Sequence, residues 1–340
     1  MTRSLPILPR EPDDLPAEYR MLRAQREDVS PLLAERAPEN AGPDGRKPAW
    51  LKVRAPGGQN YVHLKRVMRG RSLHTVCEEA HCPNIGECWE SGTATFMILG
   101  DVCTRSCRYC AVTTGKPETL DEDEPGRLAE AVAALGLKHA VITSVNRDDL
   151  PDGGAHIFAG VIREIRARVP DCSIEVLTPD FKGDRAAVAT VVAARPDIFN
   201  HNLETVERLY RFIRPGGRYR RALDVLAHAK RLEPEMLTKS GIILGMGERR
   251  AELEGAMADL RAAGVEILTL GQYLRPSAQH LPIDRYYTPA EFAELKAAGE
   301  ALGFKHVEAG PLVRSSYHAR EQVEEIAGGP VGARTTAVSA

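Results

Sequence analysis

The stretch FMILGDVCTRSCRYC, residues 96–110, runs four apolar residues into a turn and then presents Cys103, Cys107 and Cys110. The apolar run has strand length and composition. From here onward short apolar runs alternate with amphipathic stretches of helical length. The strand candidates are 96–99, 140–144, 174–178, 197–201, 239–244 and 266–271, and helical periodicity falls at 126–135, 155–168, 184–194, 221–232 and 250–262. Such alternation predicts βα units, a parallel sheet with helices outside it. Six units are too few for a complete eight-fold barrel, which leaves an open six-unit barrel or a doubly wound sheet. The later pieces 289–302 and 305–309 are placed to close one side. In either arrangement the loops after the strands carry the site. Polar and glycine-rich residues recur there: Thr143 to Asp149, Glu175 with Thr178 to Asp180, Asn200 to Asn202, Gly245 to Glu248, and Gln272 with Tyr273.

Six of the seven cysteines in these 340 residues lie between Cys77 and Cys110. So few cysteines in so long a chain do not make a disulfide scaffold. The N-terminus lacks the apolar core of a secretory signal, and no apolar run approaches the about 18 residues of a membrane span. A cytoplasmic, reducing location is expected, where clustered thiols read as metal ligands or redox groups. The 45 basic and 47 acidic residues nearly cancel, which excludes nucleic-acid binding by bulk charge; neither a nucleic acid nor a membrane is expected as partner. Residues 1–60, rich in Pro and charge, read as a partly irregular extension with a short helix within 16–36. The end, 328–340, reads as a flexible tail.

Cys103-x3-Cys107-x2-Cys110 directly follows the first strand. Iron–sulfur clusters are held by cysteine thiolates, normally four per 4Fe–4S unit. Three clustered ligands imply an iron with an open position, able to bind a small molecule as open metal sites do. Zinc is the competing reading, but its usual paired CxxC and CxxC/HxxxH spacings do not match this rhythm. A second triad, Cys77-x4-Cys82-x5-Cys88, stands upstream in HTVCEEAHCPNIGECW (74–89). It reads as a second cluster short of one protein ligand, against a small zinc site completed by His74 or His81.

Cx3Cx2C after the first strand of a βα array, with Tyr109 before its last cysteine, resembles the radical S-adenosylmethionine superfamily. The segment 240–248 also resembles that superfamily's GxIxGxxE pattern through Gly241, Ile243, Gly245 and Glu248. The two triads together closely resemble the lipoyl synthase family. The likeness runs on through TSVNRDDLPDGGA (143–155), EVLTPDF (175–181), FNHNLETVERLY (199–210), SGIILGMGE (240–248), QYLRPSAQHLPIDRYYTP (272–289) and GPLVRSSYHA (310–319). It spans roughly residues 48 to 320.

This resemblance implies a partial (β/α)6 TIM-type barrel over 95–290. The remainder divides into the extension 1–60, an auxiliary-cluster segment 61–94, a C-terminal segment 291–327 with the RSSY motif, and the tail. It implies two 4Fe–4S clusters. Cys103, Cys107 and Cys110 would hold the one whose open iron binds S-adenosylmethionine. Reductive cleavage there gives methionine and a 5′-deoxyadenosyl radical that abstracts hydrogen from unactivated C–H bonds. Cys77, Cys82 and Cys88 would hold the auxiliary cluster, its fourth ligand the serine of RSSY, here Ser316. Family members insert two sulfurs, at C6 and C8 of a protein-bound octanoyl group. Each insertion consumes one S-adenosylmethionine, and the auxiliary cluster is the sulfur donor, sacrificed and then rebuilt. The implied partners are octanoylated lipoyl carrier domains (2-oxoacid dehydrogenase E2 components, the glycine-cleavage H protein), a ferredoxin or flavodoxin-type reductant, and an iron–sulfur cluster carrier.

Besides Tyr109, the strand-end residues Thr143, Ser144, Arg147, Glu175, Asn200, Asn202 and Glu248 are expected to contact S-adenosylmethionine, and Arg314 to orient cluster or substrate. Cys172 reads as a small buried residue, His201 and His280 as neutral hydrogen-bonded groups. The basic run 213–226 fits either a docking patch or a solvated helix start. Two other readings compete: another two-cluster sulfur inserter, biotin-synthase-like or a methylthiotransferase, and a non-catalytic zinc or iron–sulfur module. The paired Cx4Cx5C and RSSY oppose the first; so long a βα array opposes the second.

Overall fold

A computed structural model describes residues 29–327 except 43–44, 54–55, 72, 80–81, 91–93 and 118. The tail 328–340, His81 and most of the extension's expected helix lie outside the described residues; within 29–36 the chain forms a 3-10 turn at Ser30–Leu33.

In chain order the elements are α1 (Gln59–Gly70), β1 (His74–Thr75), α2 (Val76–Glu79), α3 (Ile85–Glu90), β2 (Thr95–Ile98), β3 (Val102–Cys103), β4 (Thr113–Thr114), α4 (Glu124–Ala134), β5 (His139–Ser144), α5 (Ala155–Arg168), β6 (Ser173–Leu177), α6 (Arg185–Ala193), β7 (Ile198–Asn200), α7 (Glu207–Ile213), α8 (Tyr219–Leu232), β8 (Leu237–Leu244), α9 (Arg250–Ala262), β9 (Ile267–Gln272), α10 (Pro289–Ala301), β10 (His306–Gly310) and α11 (Ala319–Ala327).

Eight strands form one sheet in the order β1-β2-β5-β6-β7-β8-β9-β10, parallel throughout except for β1, which pairs antiparallel with β2, and β3 and β4 pair in a separate two-stranded parallel sheet. Apart from β1, the strand order follows the chain order, as in an unclosed TIM-type barrel. Every residue of β2 and β9 is buried, because helices cover one side of the sheet and side chains fill the other. That is why these strands read as continuous apolar runs rather than alternating ones.

The sheet holds one parallel strand more than the six expected. β10 lies beside β9, and α10 leads into it from a capping box in which the Thr288 hydroxyl accepts the Glu291 N–H while the Glu291 carboxylate accepts the Thr288 N–H. As the edge strand, β10 buries only Val307, so its sequence HVEAG lacked an apolar signature. Helix α1 was also not expected; it seats Leu64 and Met68 in the core. Among the described residues no helix is long and apolar enough to cross a membrane.

The turn out of β2 aims the chain at the triad. Leu99 adopts φ 69° and Gly100 φ 87°, and a left-handed leucine is costly unless its surroundings enforce it. Both of its backbone polar groups are tied. The Leu99 N–H donates to Glu124 Oε2 at 2.8 Å, and Arg147 Nη1 donates to the Leu99 carbonyl at 3.3 Å.

Candidate active site

A cavity of about 490 Å³ opens at the C-terminal ends of the strands. Its wall includes both Cys103, Cys107 and Cys110 and Cys77, Cys82 and Ser316. A small adjoining pocket is lined by Cys77, Cys82, Cys88 and Ser316 together, so the serine, more than 200 residues away in sequence, sits among the upstream thiols. No disulfide joins any of the seven cysteines.

The loop 103–110 is fastened to the barrel by charge. Arg105, buried between Cys103 and Cys107, donates from Nε and Nη2 to Asp148 at 2.7 and 2.9 Å and from Nη2 to Asp180 at 2.6 Å. Arg221 adds a further contact to Asp180 at 3.3 Å. Burial would raise the Asp180 pKa, but hydrogen bonding and charge from Arg105 outweigh it and hold the carboxyl well below the usual range. Sulfur itself receives backbone donors: the N–H groups of Arg105 and Asn146 point at Cys103 Sγ from 3.4 and 3.3 Å.

Burial and mutual repulsion push the thiols up. Burial, then the neighbouring Cys82, raises Cys77 to about 11; burial with Cys82 and Cys77 beside it raises Cys88 to about 12. Burial also takes Cys110 to about 12 and raises Cys107 and Cys82. These five thiols stay protonated when bare, and a bound positive centre is what would favour their thiolates in so small a volume. Among the described residues no three His, Cys, Asp or Glu side chains converge on a point that one metal ion could occupy. A cubane makes a different demand, one thiolate on each of several irons. Thiols grouped three and three, with N–H groups aimed at sulfur and a hydroxyl in the second group, fit that demand.

The polar wall fits a polar cofactor. Ser144 Oγ, Asn146 Oδ1, Asn202 Oδ1 and Arg105 Nη1 are buried without a hydrogen-bond partner, and all four residues line the cavity. Buried polar atoms ordinarily have partners, so a cluster of orphans around one space points to a polar ligand. Met97, Val145, Leu177 and Ile242 supply an apolar wall.

Of the residues expected at S-adenosylmethionine, Tyr109, Thr143, Ser144 and Asn202 line the cavity, whereas Arg147, Glu175, Asn200 and Glu248 do not. Each of the four is spent on structure. Arg147 grips Leu99 and Asp149. Glu175 lies one same-face step before Leu177 on β6, in the barrel interior. There it meets Lys239 Nζ at 3.0 Å and Asn200 Nδ2 at 2.8 Å, with Glu175 and Lys239 fully buried. Burial would raise the Glu175 carboxyl, but Lys239 holds it below its ordinary value. Glu248 accepts the N–H groups of Gly245 and Met246 and so closes the turn after β8.

Arg314 lines both pockets, with burial lowering its pKa and the Cys82 charge opposing that. Cys172 is fully buried, as expected. His201 Nδ1 contacts the Thr178 carbonyl at 2.8 Å, and burial lowers its pKa to about 4, keeping it neutral. His280 Nε2 lies 3.0 Å from the Cys110 carbonyl. Of the basic run 213–226, Arg214 is buried against Asn202 O and the Tyr210 hydroxyl and Arg221 serves Asp180, whereas Arg220 pairs with Glu207 on the exposed surface.

Sequence reasoning missed Arg105 and Glu204, and it placed Asp180 and Arg214 in a strand-end loop and a basic run without giving either a role at the site. Glu204, on the cavity wall, contacts Tyr109 and Asn202, and burial raises its pKa. A signal existed in its positive φ of 72°, but no residue pattern announces that. The seat of RSSY was equally hidden. A Cβ on Gly271 would come within 2.1 Å of the Val313 carbonyl, so only glycine lets this segment settle over the end of β9.

Comparisons with known proteins agree with this geometry. A family model described as the radical SAM superfamily matches residues 97–260, and one described as the N-terminal domain of lipoyl synthase of the radical SAM family matches 23–82. The chain is 59% identical to the lipoyl synthase of Rubrobacter xylanophilus over 97% of each chain. It is 56% identical to that of Roseiflexus sp. over 87% of this chain and 98% of the relative. Among solved structures, Streptococcus suis SuiB bound to its precursor peptide SuiA aligns with a TM-score of 0.51 at 8% identity, over 86% of this chain and 62% of that one, a likeness of fold alone. The chain belongs to the lipoyl synthase family of the radical S-adenosylmethionine superfamily.

Proposed function

We propose that this chain, a sulfur-inserting radical S-adenosylmethionine sulfurtransferase by family, divides lipoyl formation between its two thiol triads. The observation that carries the division is one cavity whose wall includes both Cys103, Cys107 and Cys110 and Cys77, Cys82 and Ser316. When bound, two 4Fe–4S clusters would supply the electron that cleaves S-adenosylmethionine and the sulfide that is inserted at C6 and C8 of an octanoyl chain.

The protein's own part is holding and orienting. Cys103, Cys107 and Cys110 bind the radical-initiating cluster, in a loop kept rigid by Arg105. Tyr109, Thr143, Ser144 and Asn202, with Asn146 of the same strand-end run, offer polar contacts to S-adenosylmethionine. Met97, Val145, Leu177 and Ile242 receive the acyl chain and exclude water, which protects a carbon radical from competing donors. Cys77, Cys82, Cys88 and Ser316 hold the sulfur donor. Among these ligands the serine oxygen is the hard, weakly acidic one, and the bond most readily given up. The octanoyl group arrives on a lipoyl carrier domain; electrons come from a ferredoxin or flavodoxin-type reductant, and a cluster carrier restores the donor. Thiols without disulfides suit a reducing cytoplasm.

Elemental analysis of anaerobically purified protein tests the two-cluster reading. About eight iron and eight labile sulfide per chain are expected, four of each per cluster. One or two zinc ions without sulfide would overturn it.

A further inference from the structure

Ser316 has a partner that neither its motif nor the triads reveal. Thr95, the first residue of β2, is buried, and its Oγ1 donates to Ser316 Oγ at 2.7 Å. Its position is fixed by the sheet, where Thr95 pairs with Val141 of β5. It lines the same small pocket as Cys77, Cys82 and Cys88. The neighbouring serine turns elsewhere: Ser315 Oγ accepts from Asn202 Nδ2 at 2.8 Å. The two serines of RSSY are thus sorted by their partners, Ser315 by the end of β7 and Ser316 by the start of β2.

We propose that Thr95 is the positioning residue for Ser316, its hydroxyl donating to the serine oxygen and holding it on the upstream triad. This rests on the reading of Ser316 as the fourth ligand of that triad. A serine oxygen bound to iron carries negative charge and has no proton to donate, so a neighbouring O–H donor stabilises it through a charge-assisted hydrogen bond. Once the iron bond is broken, the same threonine remains as a resting partner for the neutral hydroxyl. Partners one shell out from a metal commonly set how tightly the ligand holds.

The test uses the full chain with Cys103→Ala, Cys107→Ala and Cys110→Ala, so that only the upstream triad can carry a cluster. After anaerobic reconstitution, iron release to a ferrous chelator is followed, with far-ultraviolet circular dichroism reporting the fold. Thr95→Val should release iron about tenfold faster than its parent. Thr95→Ala, which removes the hydroxyl without adding a methyl, should do the same, and Thr95→Ser should match the parent. Ser316→Ala should also be fast, and adding Thr95→Val to it should change nothing further. Parent-like release from both Thr95→Val and Thr95→Ala beside a fast Ser316→Ala overturns the proposal while leaving the ligand reading intact. Multiplying effects in the double variant overturn it too, since Thr95 would then act apart from Ser316. Parent-like release from Ser316→Ala itself overturns the ligand reading, and the proposal with it.

Discussion

The two triads present three thiols each, yet the fold holds them in opposite ways. The downstream loop 103–110 grows directly out of a buried strand and is pinned by Arg105 to carboxylates from two different βα turns. The upstream triad has Cys77 on the short helix α2, Cys88 on α3 and Cys82 in the turn between them, against the C-terminal segment. Its ties there are neutral or exposed: Asn84 to the Leu312 carbonyl and the Tyr317 hydroxyl to Glu87. Buried ion pairs hold a reusable site rigid. Peripheral contacts and a serine hydroxyl suit a site whose contents are consumed and replaced. On the proposed reading, position in the fold, more than the number of cysteines, separates the lasting cluster from the expendable one.

Replacing either triad is the strongest way to break that comparison. Cys103→Ala, Cys107→Ala and Cys110→Ala together should abolish both 5′-deoxyadenosine and lipoyl formation. Cys77→Ala, Cys82→Ala and Cys88→Ala together should abolish lipoyl formation and leave reductive cleavage of S-adenosylmethionine within about twofold, read by chromatography of both products. Asp180→Ala comes next. It strips Arg105 and Arg221 of a buried carboxylate and should cost about 3 kcal/mol, measured by anaerobic urea unfolding, with iron lost first from the downstream site. Gly271→Ala attacks the other side. It drives the Val313 carbonyl away from β9 and should cost about 1–3 kcal/mol, reducing lipoyl formation more than S-adenosylmethionine cleavage.

A pH dependence comes last because at neutral pH it changes nothing. His201 titrates near 4 in the folded chain, against about 6.5 when exposed. Between those values the unfolded chain binds the extra proton, so stability falls as pH drops from about 6.5 to about 4. His201→Asn should flatten the urea-midpoint profile over that window, and an unchanged slope would place the titration elsewhere.

The βα array was readable because buried parallel strands leave unbroken apolar runs and their helices keep an amphipathic period. β10 was readable only as a closing piece at 305–309 and not as a seventh βα unit, because an edge strand needs few apolar residues. Both thiol groups were readable from spacing alone. What spacing could not give was the difference between a polar residue at a strand end and one facing the cavity. Glu175 and Asn200 looked like ligand contacts, yet β6 turns Glu175 toward Lys239 in the interior. Nothing in the spacing marks Arg105, between two of the cysteines, although it anchors their loop. Ser316 was reached only through family resemblance, because its meeting with Thr95 depends on a segment 221 positions away crossing a glycine at the end of β9.

The most direct test follows sulfur from the chain itself. The protein is reconstituted with heavy-isotope sulfide, freed of excess, and given an octanoylated carrier domain, S-adenosylmethionine and a reductant without oxygen. Division of labour between the triads predicts a lipoyl group carrying two heavy sulfurs, two 5′-deoxyadenosines per lipoyl, and a Ser316→Ala variant that cleaves S-adenosylmethionine without making product. Unlabelled lipoyl, or full lipoyl formation by the variant lacking Cys77, Cys82 and Cys88, would contradict it.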